Sequence, residues 1–230
     1  MSNYLRLKKM LYVVSLAAVS IVIGLIEIPN PFSFIGPWAA FVRLDFSDVV
    51  ILVSLVVLGP KETIFVILLR SGIRPLILPK FGLAMDYVGE FLAITASISI
   101  MFAYISARKI LKKTKEQPLL YVLPVQEEKL TKKDWAVYLG FAILILSLGT
   151  LIANYMFATP LYLSMFGATQ SSTALHFTVF SYVKDSNPSF TLFTFLLAAI
   201  ISYVPFNIMK SIFVMSIFLV LKPKLKYLEL

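Results

Sequence analysis

Six apolar runs, separated by segments rich in charge, proline or glycine, dominate this chain; they fall at roughly 10–28, 49–60, 62–79, 86–107, 135–158 and 191–221. A helix that crosses a bilayer needs about 20 mostly apolar residues. Of the 230 residues, 59% are hydrophobic and 14% charged, where soluble domains average about 45–50% and 25%. Too few charges are present to cover that much apolar surface in water. The runs predict an all-α membrane protein: a six-transmembrane-helix bundle, built as a single domain over residues 1–230.

The basic residues orient it. Fifteen of the 21 lysines and arginines lie on one side of the predicted spans, in the segments containing Arg6, Lys8, Lys9, Lys61, Arg108, Lys109, Lys132, Lys133, Lys222 and Lys224 among others. The opposite loops and the spans hold Arg43, Arg70, Arg74, Lys80, Lys184 and Lys210. The positive-inside rule then places both termini, and the loop 108–134 between two three-helix halves, in the cytoplasm. The first run is expected to stay as a helix, since Glu27-Ile28-Pro29-Asn30-Pro31 follows it where a signal peptide would have small residues.

Several chemistries are excluded. With no cysteine and one histidine, thiolate and multi-histidine metal sites are out of reach. Gly59-Pro60-Lys61 is not a phosphate loop, so any ATP-driven step needs another subunit. His176 with Ser171 and Ser172 lacks an oxyanion context. The basic segments flank spans instead of lining an aromatic-rich groove. No enzyme activity, cofactor or nucleic-acid partner is expected; the lipid bilayer is.

The informative residues are polar groups at membrane depth, which are costly unless they face protein, water or a ligand. Asn207 and Lys210 are three apart on the last run and share a helix face. Lys210 precedes Lys222 by 12 residues, about 18 Å along a helix, too far to snorkel. It pairs with an acid of another helix or serves a ligand. Glu90 is expected to pair with Lys210 or to accept from a ligand, and Asp86 to complement a helix dipole. Asn154, near Tyr155 and Pro160-Leu161-Tyr162, is a helix–helix bond or a pocket amide. Ser47 or Asp48 would cap the following helix. Phe32, Phe34, Trp38 and Phe41 form an interfacial belt or, with 181–190, a lid over a flat ring. Arg70 and Arg74 are expected to snorkel outward or to meet an anionic ligand. Ser15, Ala17, Ala18, Ser20 and Gly24 allow close helix approach, within the bundle or to another subunit.

In order along the chain, Leu44-Asp45-Phe46-Ser47-Asp48, Leu58-Gly59-Pro60, Gly89-Glu90, Asn154-Tyr155, Pro160-Leu161-Tyr162 and Pro205-Phe206-Asn207-x-x-Lys210 resemble the substrate-binding S components of energy-coupling factor (ECF) vitamin transporters, most of all the riboflavin-binding member. The resemblance implies a six-helix bundle with an outward-facing vitamin pocket, a transmembrane T component and two cytoplasmic ATPase subunits as partners. It implies that Asn154, Asn207 and Lys210 contact the isoalloxazine ring, and adds Glu90, Tyr162, Phe41, Asp45, Arg70 and Arg74 as candidate substrate contacts. Ser15, Ala17, Ala18, Ser20 and Gly24 become the candidate T-component surface. Where the third run reads Leu69-Arg70-Ser71-Gly72-Ile73-Arg74, arginines facing a carboxylate would favour pantothenate. A secondary transporter or a membrane enzyme subunit is the alternative outside the family.

Overall fold

The computed structural model describes residues 3–31, 42–111, 130–165 and 192–227. Every predicted run holds a helix. α1 (Asn3–Ile23) is followed by two three-residue strands, β1 (Glu27–Pro29) and β2 (Arg43–Asp45). Then come α2 (Ser47–Leu58), α3 (Pro60–Ile77), α4 (Leu83–Ile110), α5 (Lys132–Ala153), a π-helical turn (Asn154–Ala158), α6 (Thr159–Met165), α7 (Leu192–Leu221) and a 3₁₀ turn (Lys222–Tyr227).

Local chemistry sets these boundaries. Thr131 and Asp134 form a reciprocal capping box that starts α5, satisfying two of the amides a helix start leaves open. Between α2 and α3 the chain turns at Gly59, whose φ of 96° is open to glycine and strained for other residues. Pro60 then takes the first position of α3, where its missing N–H costs nothing. α1 begins earlier than the apolar run and carries Lys9, which is held by Glu62 at the start of α3.

β1 and β2 pair antiparallel, with Glu27 opposite Asp45 and Pro29 opposite Arg43. Strands this short carry no alternation to read, and the pairing was not expected. It ties the end of α1 to the segment that enters α2.

Among the described residues, three helical stretches are long and apolar enough to cross a membrane: Leu83–Ile110, Lys132–Tyr162 and Leu196–Leu225. This is a membrane protein. α1, α2 and α3 occupy the other predicted runs but differ in kind. α2 has 12 residues, 11 of them buried, so protein surrounds it; at 1.5 Å per residue it is about 18 Å long. α3 carries Lys61, Glu62, Arg70 and Arg74.

α4 packs on α5 and α5 on α7, while α1 packs on α2 and α3. At one end Tyr104 stacks on Tyr138 (centroids 5.2 Å apart) and meets Phe218 edge-on at 5.3 Å, with Lys222 5.5 Å over the Tyr104 ring. That gathers the ends of α4 and α7 with the start of α5, the end to which α2 runs and from which α1 and α3 start. β1 and β2 lie at the opposite end.

The small residues of α1 divide between two faces. Ala17, Ser20 and Gly24 are buried against the chain's own helices, and Ser15 and Ala18 face outward beside Leu11, Val14 and Val22. Ala17, Ser20 and Gly24 are therefore packing positions within the bundle, and of the five small residues only Ser15 and Ala18 stay exposed.

Candidate functional site

Six ionisable groups from five elements meet where β2 enters α2. β2 supplies Asp45, α2 Asp48, α3 Arg70 and Arg74, α4 Glu90 and α7 Lys210. Lys210 Nζ lies 2.7 Å from Asp48 Oδ2, and Arg70 Nη1 lies 3.5 Å from Asp48 Oδ1. Ser97 of α4 donates to the same Oδ1. Arg70 also donates to Ser47 Oγ at 3.1 Å and from Nη2 to Ser71 Oγ at 3.2 Å. Ser47 Oγ in turn donates to Asp45 Oδ1 at 2.7 Å. Arg74 bridges two elements, from Nη1 to Asp45 Oδ2 at 3.0 Å and from Nε to Glu90 Oε1.

Three carboxylates face three cations, so the cluster carries no formal net charge. Burial makes that balance necessary, because an unpaired charge in a low-dielectric interior costs several kcal/mol. Arg70 is 0% exposed, Asp48 1% and Lys210 6%. At Asp45, burial alone would raise the carboxyl pKa, but Lys210, Arg74 and Arg70 and the Ser47 hydroxyl outweigh it. Together they hold it well below the usual carboxylate range.

Backbone geometry makes room for this network. A Cβ on Gly24 would sit 2.8 Å from Arg74 Nη1, so glycine at the end of α1 lets the guanidinium lie against that backbone. Gly89 similarly faces Tyr162, whose hydroxyl would be 3.2 Å from an added Cβ.

A cavity of about 140 Å³ adjoins the cluster on the β1–β2 side. Asn154, Asn207, Lys210, Glu90, Tyr162, Asp45 and Arg74 all line it, although they come from distant parts of the sequence. Asn154 stands at the start of the π turn, and its amide donates to the Thr150 carbonyl at 2.8 Å. π turns widen a helix locally and are frequent at functional sites. Pro205, inside α7, removes the N–H that would bond the carbonyl of residue 201. Asn207 and Lys210 follow it on the cavity face, with Phe206 beside them. At the rim, Asp86 accepts from the amides of Lys80 and Phe81 at 2.9 and 3.2 Å, and Glu27 joins Arg43 to Lys80. Asp86 thus orders the loop before α4.

Several expectations change. Arg70 and Arg74 do not snorkel outward; both are turned into the bundle, where Asp48, Asp45 and Glu90 neutralise them. Arg70 lies behind Asp48 and is absent from the described cavity lining. Lys210 pairs with Asp48 and not with Glu90, whose partner is Arg74. Neither Ser47 nor Asp48 caps α2 by its side chain; Asp48 is the shared counter-ion of the cluster. Counting charge at membrane depth would have found it, since Arg70, Arg74 and Lys210 require three acids and Asp45, Asp48 and Glu90 are the three nearby. Phe41, with Phe32, Phe34, Trp38, His176, most of loop 108–134 and the segment 181–190, lies outside the described residues. Among the described residues no cluster of ligating side chains fits a metal ion.

No family model matches this sequence, and no curated protein does. A solved structure of the S component of a bacterial ECF transporter is similar, with a TM-score of 0.60 and 21% identity. The alignment covers 98% of this chain and 99% of that one. At that identity the likeness concerns the fold alone.

Proposed function

We propose that this chain is the membrane-embedded substrate-binding S component of an ECF-type importer, and that its substrate is riboflavin or a closely related vitamin captured from outside the cell. The observation that carries this reading is the convergence of Asn154, Asn207 and Lys210 on one cavity, within a fold shared with an S component. In this reading all six predicted runs span the cell membrane and both termini are cytoplasmic. The cavity, at the end opposite Lys9 and Lys222, then opens outward.

The chemistry suits a neutral, flat heterocycle. Amides at Asn154 and Asn207 donate and accept, and the Lys210 ammonium donates. An isoalloxazine ring offers carbonyl acceptors and an imide N–H to match them. The internally balanced charge favours this over a carboxylate-bearing vitamin such as pantothenate. Arg70 is buried behind Asp48, and Arg74 already holds two carboxylates, so a further anion would compete with Asp45 and Glu90.

Transport in this account needs a T component and two ATPase subunits, which supply the energy that this chain has no means to generate. The experiment is uptake of labelled riboflavin into proteoliposomes. The account predicts uptake only when the chain is co-reconstituted with T component and ATPases and supplied with ATP. Uptake by the chain alone, driven by an ion gradient, would overturn it in favour of a secondary transporter.

A further inference from the structure

Lys210 lines the cavity, and the acid that holds it does not. Lys210 Nζ lies 2.7 Å from Asp48 Oδ2, yet Asp48 stands behind the wall on α2, 1% exposed and absent from the described cavity lining. Its other oxygen is engaged elsewhere. Asp48 Oδ1 accepts from Ser97 and faces Arg70 Nη1 at 3.5 Å. Arg70 is itself fixed, since it donates to the Ser47 and Ser71 hydroxyls. The carboxylate is therefore held at one oxygen by α3 and α4, and the other meets Lys210. A lysine ammonium is a compact charge with three donors on a flexible four-carbon stem, so a partner that fixes one N–H also directs the other two. Asp45 and Glu90, the other carboxylates of the cluster, are bound to Arg74. Among the described residues, Asp48 is the acid in ion-pair contact with Lys210.

We propose that Asp48 is a positioning residue for ligand binding. Held by Ser97 and Arg70, it sets where the Lys210 ammonium stands at the cavity wall and neutralises it, so that Lys210 presents directed N–H donors to an uncharged acceptor. This rests on the reading of the cavity as a vitamin site, and it adds to that site a residue that does not touch the ligand. Two properties of Lys210 depend on the contact. Its stem can swing through several rotamers, and the 2.7 Å bond to Asp48 selects one of them. Its charge, unpaired in a buried wall, would be costly and would suit an anion better than a ring carbonyl. With the carboxylate in place, the ammonium acts on the ligand as an oriented donor.

The test is a double-mutant cycle read in riboflavin affinity, with the full-length wild-type chain, Asp48→Asn, Lys210→Met and the double variant purified in detergent. Ser97 and Arg70 both donate to Oδ1, so in Asp48→Asn the amide oxygen takes that place. Its NH₂ then turns a donor towards Lys210 and displaces the ammonium. Asp48→Asn is expected to lower riboflavin affinity about 10-fold, and to have no further effect once residue 210 is Met. The visible absorption band of flavin bound to Asp48→Asn should move towards that of Lys210→Met, which a purely structural role for Asp48 would not produce. Wild-type affinity in a folded Asp48→Asn, or losses that multiply in the double variant, would overturn the proposal and leave the vitamin site standing. Wild-type affinity in Lys210→Met, or no riboflavin binding by the wild-type chain, would overturn the reading of the cavity and the proposal with it. If Asp48→Asn does not fold, Ser97→Ala replaces it in the cycle. That change removes one donor from Oδ1 and keeps every charge of the cluster; a several-fold loss, absent in the Lys210→Met background, supports the proposal, and unchanged affinity overturns it.

Discussion

Lys210 Nζ on α7 sits 2.7 Å from Asp48 Oδ2 on α2, with both side chains removed from solvent. This contact joins the last long helix to a short buried one, and it neutralises a lysine set about 18 Å from the nearest basic flank by helix rise. Asp48 also answers Arg70, so one carboxylate balances cations from two helices.

Breaking that arrangement on one side exposes the other. Asp48→Asn leaves Lys210 and Arg70 facing a neutral amide and is expected to destabilise the detergent-solubilised chain by about 3–5 kcal/mol, as for other buried pairs that lose one partner. Lys210→Met combined with Asp48→Asn should recover part of that loss, a coupling of about 0.5–3 kcal/mol. Chemical denaturation of the four proteins measures it; strictly additive effects would mean that the contact carries no energy.

Gly24 and Gly140 separate a glycine that makes room from one that does not. A Cβ on Gly24 would meet Arg74 Nη1 at 2.8 Å and the Ser20 carbonyl oxygen at 3.1 Å, whereas one on Gly140 meets nothing within 4 Å. Gly24→Ala should cost about 1–3 kcal/mol, because Arg74 cannot retreat without releasing Asp45 or Glu90. Gly140→Ala, in the interior of α5, should gain about 0.5–1 kcal/mol from helix propensity. Thermal melts of the two variants should move in opposite directions.

The outward face of α1 offers a test of assembly. Ala18→Leu changes an exposed position and should leave folding and riboflavin affinity intact while reducing uptake by the reconstituted importer. Ala17→Leu enlarges a side chain that is 3% exposed and should instead lower stability by about 1–3 kcal/mol. Normal uptake by the Ala18 variant would remove this face from the docking surface.

Acid should weaken the cluster in a defined direction. Asp45 is held below its usual range in the folded chain, so its stabilising contribution is complete above the unfolded value of about 3.9. That contribution is lost as pH falls from there towards the lower folded value. Stability measured from pH 8 to 5 should show no loss from this group, followed by a decline below about pH 4. Asp45→Asn should be less stable at neutral pH and show a shallower acid decline.

The helices were legible because apolar length and proline–glycine punctuation are local properties; α7 and the Gly59 turn follow directly from them. The depth of Lys210 was legible too, since distance along a helix is simple arithmetic. Partner choice was not. Whether Lys210 meets Asp48 or Glu90 depends on the rotation of α2, α4 and α7 about their axes, which no run of neighbours encodes. Asp48 read as a helix cap because Asp before an apolar run usually is one, and the arginines read as snorkelling because they lie near a helix end. In each case tertiary pairing prevailed over the local preference. The small residues of α1 needed the packing of α2 and α3 to show which of them face inward.

The most direct test is a titration of riboflavin fluorescence with the chain purified alone in detergent, run in parallel with Lys210→Met. The account predicts stoichiometric quenching, one flavin per chain. Binding to the variant should be weaker by about 1–3 kcal/mol, roughly 5- to 150-fold, for loss of a charge-assisted hydrogen bond. No quenching by the wild-type chain, or equal affinity in a folded variant, would contradict the assignment of this cavity as a flavin site.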